Sequence, residues 1–232
     1  LPITATNAGQ AMYQLASAGL RVDEITKAVE SVASLSIGQG YSMDQTADLM
    51  VTALRSFELE ASDSARVADV FTNAVNMSML TMEKISMAFP YAATQAKMLG
   101  VSLEDTVAAM EALSERGLRG SQIGTWLGQV FNGLSTNSKG VQELSKKYGV
   151  SFFDANGKAK DLLGTFVELG KRGATMSDFL AAFNDRGGKA AAILAETGDR
   201  LLYFRDGLNA SGKSAGMLDE RMKTFPNRMQ EF

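Results

Sequence analysis

The chain has 232 residues, 45% of them hydrophobic and 21% charged, enough to bury a core in one large domain or two small ones. Its net charge of −3 lacks the basic balance of a nucleic-acid binder. Neither Cys nor His occurs, which excludes disulfides, thiolate and Ser-His-Asp nucleophile systems, and typical zinc sites within the chain.

Opening on Leu1, the sequence reads as a piece of a longer protein, with no signal peptide. Apolar spacing then marks helices in order. Ile25, Val29, Val32 and Leu35 form one stripe; Met43, Ala47, Met50, Leu54 and Phe57 a second; Ile123, Leu127, Val130 and Leu134 a third. Helix starts recur about every 20 residues, at Ser42-Met43-Asp44-Gln45, Ser62-Asp63, Thr81-Met82-Glu83 and Ser102-Leu103-Glu104-Asp105. In each a hydroxyl can accept from free amides, and acids favour the positive helix end. Gly19, Gly38 with Gly40, Gly100, Gly117, Gly133 and Gly149 are read as breaks between helices. Pro90 predicts a kink or break inside an otherwise helical run. The 13 methionines are read as adaptable core filler.

One stretch departs from helix. Val150-Ser151-Phe152-Phe153 alternates, and Asp154-Ala155-Asn156-Gly157 turns the chain. The expected fold is therefore all-α, an array of short helices with one small β-hairpin or turn near 150–160. The expected divisions are a helical array at 1–148, the hairpin-like insertion at 149–160, more helices at 161–198, and a linker with the start of a further helix at 199–232. No apolar run approaches the roughly 18 residues of a membrane span.

Two patterns invite sharper readings. Gly207-Leu208-Asn209-Ala210-Ser211-Gly212-Lys213-Ser214 fits the phosphate-loop pattern, with Gly207, Gly212, Lys213 and Ser214 as its key residues. Leu201–Phe204 before it could pass for a strand, but the helical context upstream and the short remainder downstream make it a chance match, a polar linker. Gly120, Gly124 and Gly128 recur every four residues, a smooth face for a second helix, with Trp126 covering nearby surface. Its polar residues favour internal or subunit packing over lipid. Asp154–Gly157 lacks the spacing of a calcium loop, since Thr165 stands where a closing acid belongs. Asp185-Arg186-Gly187-Gly188-Lys189 reads as an exposed helix boundary. No catalytic residue, cofactor or metal ion is expected.

Several phrases, in order over about residues 11–195, resemble the core region of phage tail tape-measure proteins. They are Ala11–Leu20; Phe57–Ser62 with Ala65–Val70; Pro90 followed by Leu99–Thr106; Gly117–Gly124; and Tyr148–Asp154 with Gly157-Lys158. Asn184–Lys189 departs from the family's shorter turn. The resemblance implies a non-enzymatic virion protein made in the host cytoplasm and placed in the tail lumen or tip. There it would set tail length and leave during DNA ejection. Implied partners are tail tube and tail tip or baseplate proteins, other copies of itself, tail assembly chaperones and, transiently, the host membrane; no specific nucleic acid is implied. Interaction candidates are Gly120, Gly124, Gly128, Trp126, Phe153, Asp154 and Gly157. A membrane-inserting helical module and a non-viral α-solenoid scaffold are the alternatives.

Overall fold

Thr81 and Ser102 show how this chain starts its helices. Each stands in extended backbone, and its hydroxyl accepts from the amide three residues on, that of Lys84 at 3.2 Å and of Asp105 at 2.9 Å. One otherwise free helix donor is thereby satisfied. In the computed structural model, which describes residues 5–154, 157 and 159–220, these caps open two members of a long series. The series is α1 (Ala5–Ser17), α2 (Val22–Gln39), α3 (Met43–Ser56), α4 (Ser64–Met77), α5 (Met82–Leu99), α6 (Leu103–Glu115), α7 (Gly120–Ser135), α8 (Lys139–Tyr148), α9 (Leu162–Lys171), α10 (Met176–Thr197) and α11 (Asp199–Leu208). Residues 213–220 are also helical. The fold is all-α, as the periodicity predicted.

Some local expectations need correction. Ser42 precedes α3 but makes no cap; its hydroxyl turns to the Asp44 carboxylate. At Ser62-Asp63 the chain makes a 3₁₀ turn, Ala61–Asp63, and Asp63 accepts from the Glu60 amide at 3.1 Å before α4 begins. Pro90 does not break α5, which runs through it. Pro90 lies on the exposed face and Ser86, whose carbonyl loses its donor, is only half-buried, so solvent can serve that oxygen. Gly40, Gly100 and Gly149 do end helices in the left-handed conformation that a side chain disfavours. Gly38 and Gly133 instead sit inside α2 and α7.

The chain divides into two units, Leu1–Asn76 with Asn209–Phe232, and Met77–Leu208. This differs from the divisions at 148, 160 and 198. Breakers mark where helices end, whereas a unit is defined by which helices touch.

In the first unit α1, α2 and α3 pack on one another. Leu15, Ile25 and Ala28 form a buried cluster, with Leu20, Val29 and Val51 against it. In the second, α6 is buried on all sides from Thr106 to Ser114. It touches α5, α7, α9, α10 and α11. The stretch before α9 is seated by Phe152, whose ring lies 5.4 Å from Phe166 and 6.3 Å from Phe183. Among the described residues one antiparallel bridge, Phe153 with Ala159, stands where a small hairpin or turn was expected. The Lys160 amide donates to the Phe152 carbonyl at 2.9 Å. Ala155, Asn156 and Lys158 of its turn lie outside the described residues.

Candidate functional site

The phosphate-loop string lies in helical surroundings, and two of its amides are already engaged. Leu201–Phe204, which could pass for a strand, lies in α11, and Gly207 belongs to the same helix. A Cβ on Gly207 would collide with the end of the Met77 side chain. Gly212 and Lys213 are exposed and Ser214 is buried. The amides of Gly212 and Ser214 donate at 2.7 and 2.8 Å to the two carboxylate oxygens of Asp69. Asp69 is a buried residue of α4. Two of the donors that such a loop would offer an incoming phosphate are thus given to the chain's own anion. That carboxylate would also repel a phosphate at close range. The sequence signal for Asp69 was an acid inside the apolar run Val67–Ala74, too weak to name its partner.

The glycine face of α7 is turned onto α5. Added Cβ atoms would meet Met87 Cβ at 2.8 Å from Gly120, Ala88 Cα at 2.8 Å from Gly124, and the Tyr91 carbonyl at 2.8 Å from Gly128. Backbone here lies against backbone, which only glycine permits. The device recurs where no four-residue repeat flags it. Gly140 of α8 would strike Ala182 Cα at 2.7 Å, and Gly170 of α9 the Ala195 carbonyl carbon at 3.0 Å, both on α10. Gly133 lies against the Phe183 ring, a Cβ meeting it at 2.8 Å. Asp185–Lys189 continues α10 beyond Asn184, whose backbone is non-helical at φ 61°, ψ −170°. A boundary is present there, but Gly187 and Gly188 are buried.

The other interaction candidates are scattered. Trp126 and Phe153 are half-buried, and Asp154 and Gly157 are exposed. α7 carries no charged residue. Its partner α5 exposes Met87, Tyr91 and Met98 at 47%, 55% and 78%, a spacing that puts them on one helix face. This outward apolar set was missed in the sequence because the same helix also supplies core residues.

Charge is unusual at two places in the second unit. Glu111 of α6 is fully buried, and neither oxygen makes a hydrogen bond of normal geometry. Burial first, and the Glu115 carboxylate second, push its carboxyl up to about 8, against smaller pulls from the Ser78 hydroxyl and Arg200. Asp178 is the opposite case. Lys147 at 2.5 Å, Thr175 Oγ1 at 2.6 Å and the Tyr148 hydroxyl at 2.7 Å all donate to it, and hold its carboxyl well below the usual range. It clasps α8 to the start of α10.

Among the described residues no cluster of acids could hold a metal ion, and no helix is long and apolar enough to cross a membrane. The arrangement offers helix-on-helix seams and an exposed apolar set on α5. Comparison with known proteins agrees in kind. The family model described as phage-related minor tail protein matches residues 1–183. The tape measure protein of Pneumococcus phage Dp-1 is 36% identical over 166 residues, 72% of this chain and 14% of that protein. The probable tape measure protein of Escherichia phage P2 is 27% identical over 199 residues, 82% of this chain and 24% of that protein. The chain therefore spans less than a quarter of the length of either relative. No solved structure matches.

Proposed function

The chain belongs to the phage-related minor tail protein family, and from that premise we propose that it is a folded, non-catalytic module of a tape-measure protein that contacts tail tube or tip proteins. Under this reading the parent protein sets tail length and takes part in DNA ejection, and the measuring helices lie outside the module. Family membership sets aside the non-viral scaffold.

The observation that carries the reading is the placement of the helix breaks. A continuous helix of 232 residues would measure roughly 350 Å at about 1.5 Å per residue. Here α5, one of the longer helices, has 18 residues, a rise of about 27 Å, before Gly100 ends it. Gly120, Gly124 and Gly128 then bring α7 back against it. Such a chain folds onto itself and does not extend.

A map of an assembled tail tests this directly. Residues 82–135 traced as the separate helices α5, α6 and α7 would support the module, and one unbroken rod through them would sink it. Photo-crosslinking from Tyr91, on the exposed face of α5, should then capture tube or tip protein. The membrane-inserting alternative relied on the small-residue face of α7, which in the folded chain is covered by α5. Vesicle leakage caused by the folded chain would restore that alternative.

A further inference from the structure

Residues 209–220 return to the first unit after the whole of the second has been built. Their sequence, Asn-Ala-Ser-Gly-Lys-Ser-Ala-Gly-Met-Leu-Asp-Glu, brings little to bury. Ser214 is the one buried residue among them, and Met217 and Leu218 are half-buried. Polar contacts help to fasten them. Asp69 takes the amides of Gly212 and Ser214 at 2.7 and 2.8 Å, Asn73 Nδ2 donates to the Ala210 carbonyl at 2.9 Å, and the Met217 sulfur accepts from Asn76 Nδ2 at 3.3 Å and from Gln39 Nε2 at 3.5 Å. Met217 also lies against Gly38.

We propose that residues 209–220 form a detachable strap on the first unit, latched by the Asp69 carboxylate, which opens as a unit without unfolding α6 and its neighbours. The physical basis is the contrast in burial. A segment with few buried apolar contacts opens locally at much lower cost than a core helix. A pair of charge-assisted bonds joins the strap to one carboxylate. These bonds also satisfy amides at the start of the helix at 213–220, so releasing them loosens that helix at its end. One side chain on α4 thus controls both docking and local helix order.

Hydrogen exchange on the 232-residue chain tests the proposal. In the unaltered protein, amides of 212–220 should exchange at least about 10-fold faster than those of 106–114, through openings insensitive to low denaturant. Asp69→Asn keeps the shape and removes the charge. It should speed exchange at 212–220 by about 10- to 100-fold and leave 106–114 unchanged. A lock supplies the control. A Cβ on Gly38 would lie 3.4 Å from Met217 Cβ, close to the separation a disulfide spans, and the chain has no other cysteine to interfere. Gly38→Cys with Met217→Cys should slow strap exchange when oxidised and restore it on reduction, even beside Asp69→Asn. Equal exchange of strap and α6 in the unaltered chain would overturn the proposal. So would an Asp69→Asn effect spread evenly over both segments, or strap exchange indifferent to the oxidised lock. Because every readout is internal to the folded chain, a failure here leaves the tail-module reading standing.

Discussion

The two units solve the same problem by different means. In the second, helices are drawn together until backbones touch, at Gly120, Gly124, Gly128, Gly140 and Gly170. In the first, side chains such as Leu15, Ile25 and Ala28 fill the space between α1, α2 and α3, and a polar strap closes the end. Glycine in α1 meets nothing, since a Cβ on Gly9 has no neighbour within 4 Å. The same residue type is therefore a strict steric requirement along α7 and a dispensable weakness within α1.

The sharpest way to break this contrast is a pair of matched substitutions. Gly124→Ala places a methyl group 2.8 Å from Ala88 Cα, where backbone must move, and should cost about 3 kcal/mol. Gly9→Ala should instead stabilise by about 0.5–1 kcal/mol through helix propensity. Urea unfolding of both variants is the check, and equal effects would erase the distinction.

Next in size is Glu111. Its unfolded carboxyl ionises near the ordinary 4.5, while the folded one keeps its proton up to about 8. Stability from this group is full below pH 4.5 and is lost as pH rises towards 8, since the unfolded chain gives up the proton first. The loss should reach about 3 kcal/mol at pH 7. Glu111→Gln should flatten that slope in unfolding curves recorded from pH 5 to 8. Parallel slopes for variant and parent would remove Glu111 as the source.

The smallest effect concerns Asn184, exposed and held at φ 61°, ψ −170°, a region that glycine enters far more easily. Asn184→Gly should raise stability by about 1 kcal/mol, seen as a higher melting temperature. A fall would mean that the Asn side chain supports the bend in α10.

Much of the helical pattern could be read in advance because it depends on local spacing. The stripes at Ile25–Leu35 and Ile123–Leu134 lie on α2 and α7, and Thr81 and Ser102 cap as their hydroxyls suggested. What escaped the sequence was whatever a distant partner decides. A glycine can end a helix, as Gly40 does, or admit a neighbour, as Gly133 does, and nothing local separates the two. Of the kink or break expected at Pro90 the break does not occur: the proline's solvent exposure, which lets α5 run through it, is a tertiary property. The phosphate-loop string was set aside by context, but that Asp69 fills it could not be seen from residues 143 positions and more away.

The nested chain path has a mechanical consequence. Both described ends of the chain belong to the first unit, with Met77–Leu208 inserted between them in sequence, so tension applied between residues 5 and 220 pulls on the two bonds that join Asp69 to the strap. Under such a pull this carboxylate would act as a fuse for the strap, giving way at two bonds where a core helix would have to surrender a whole buried face.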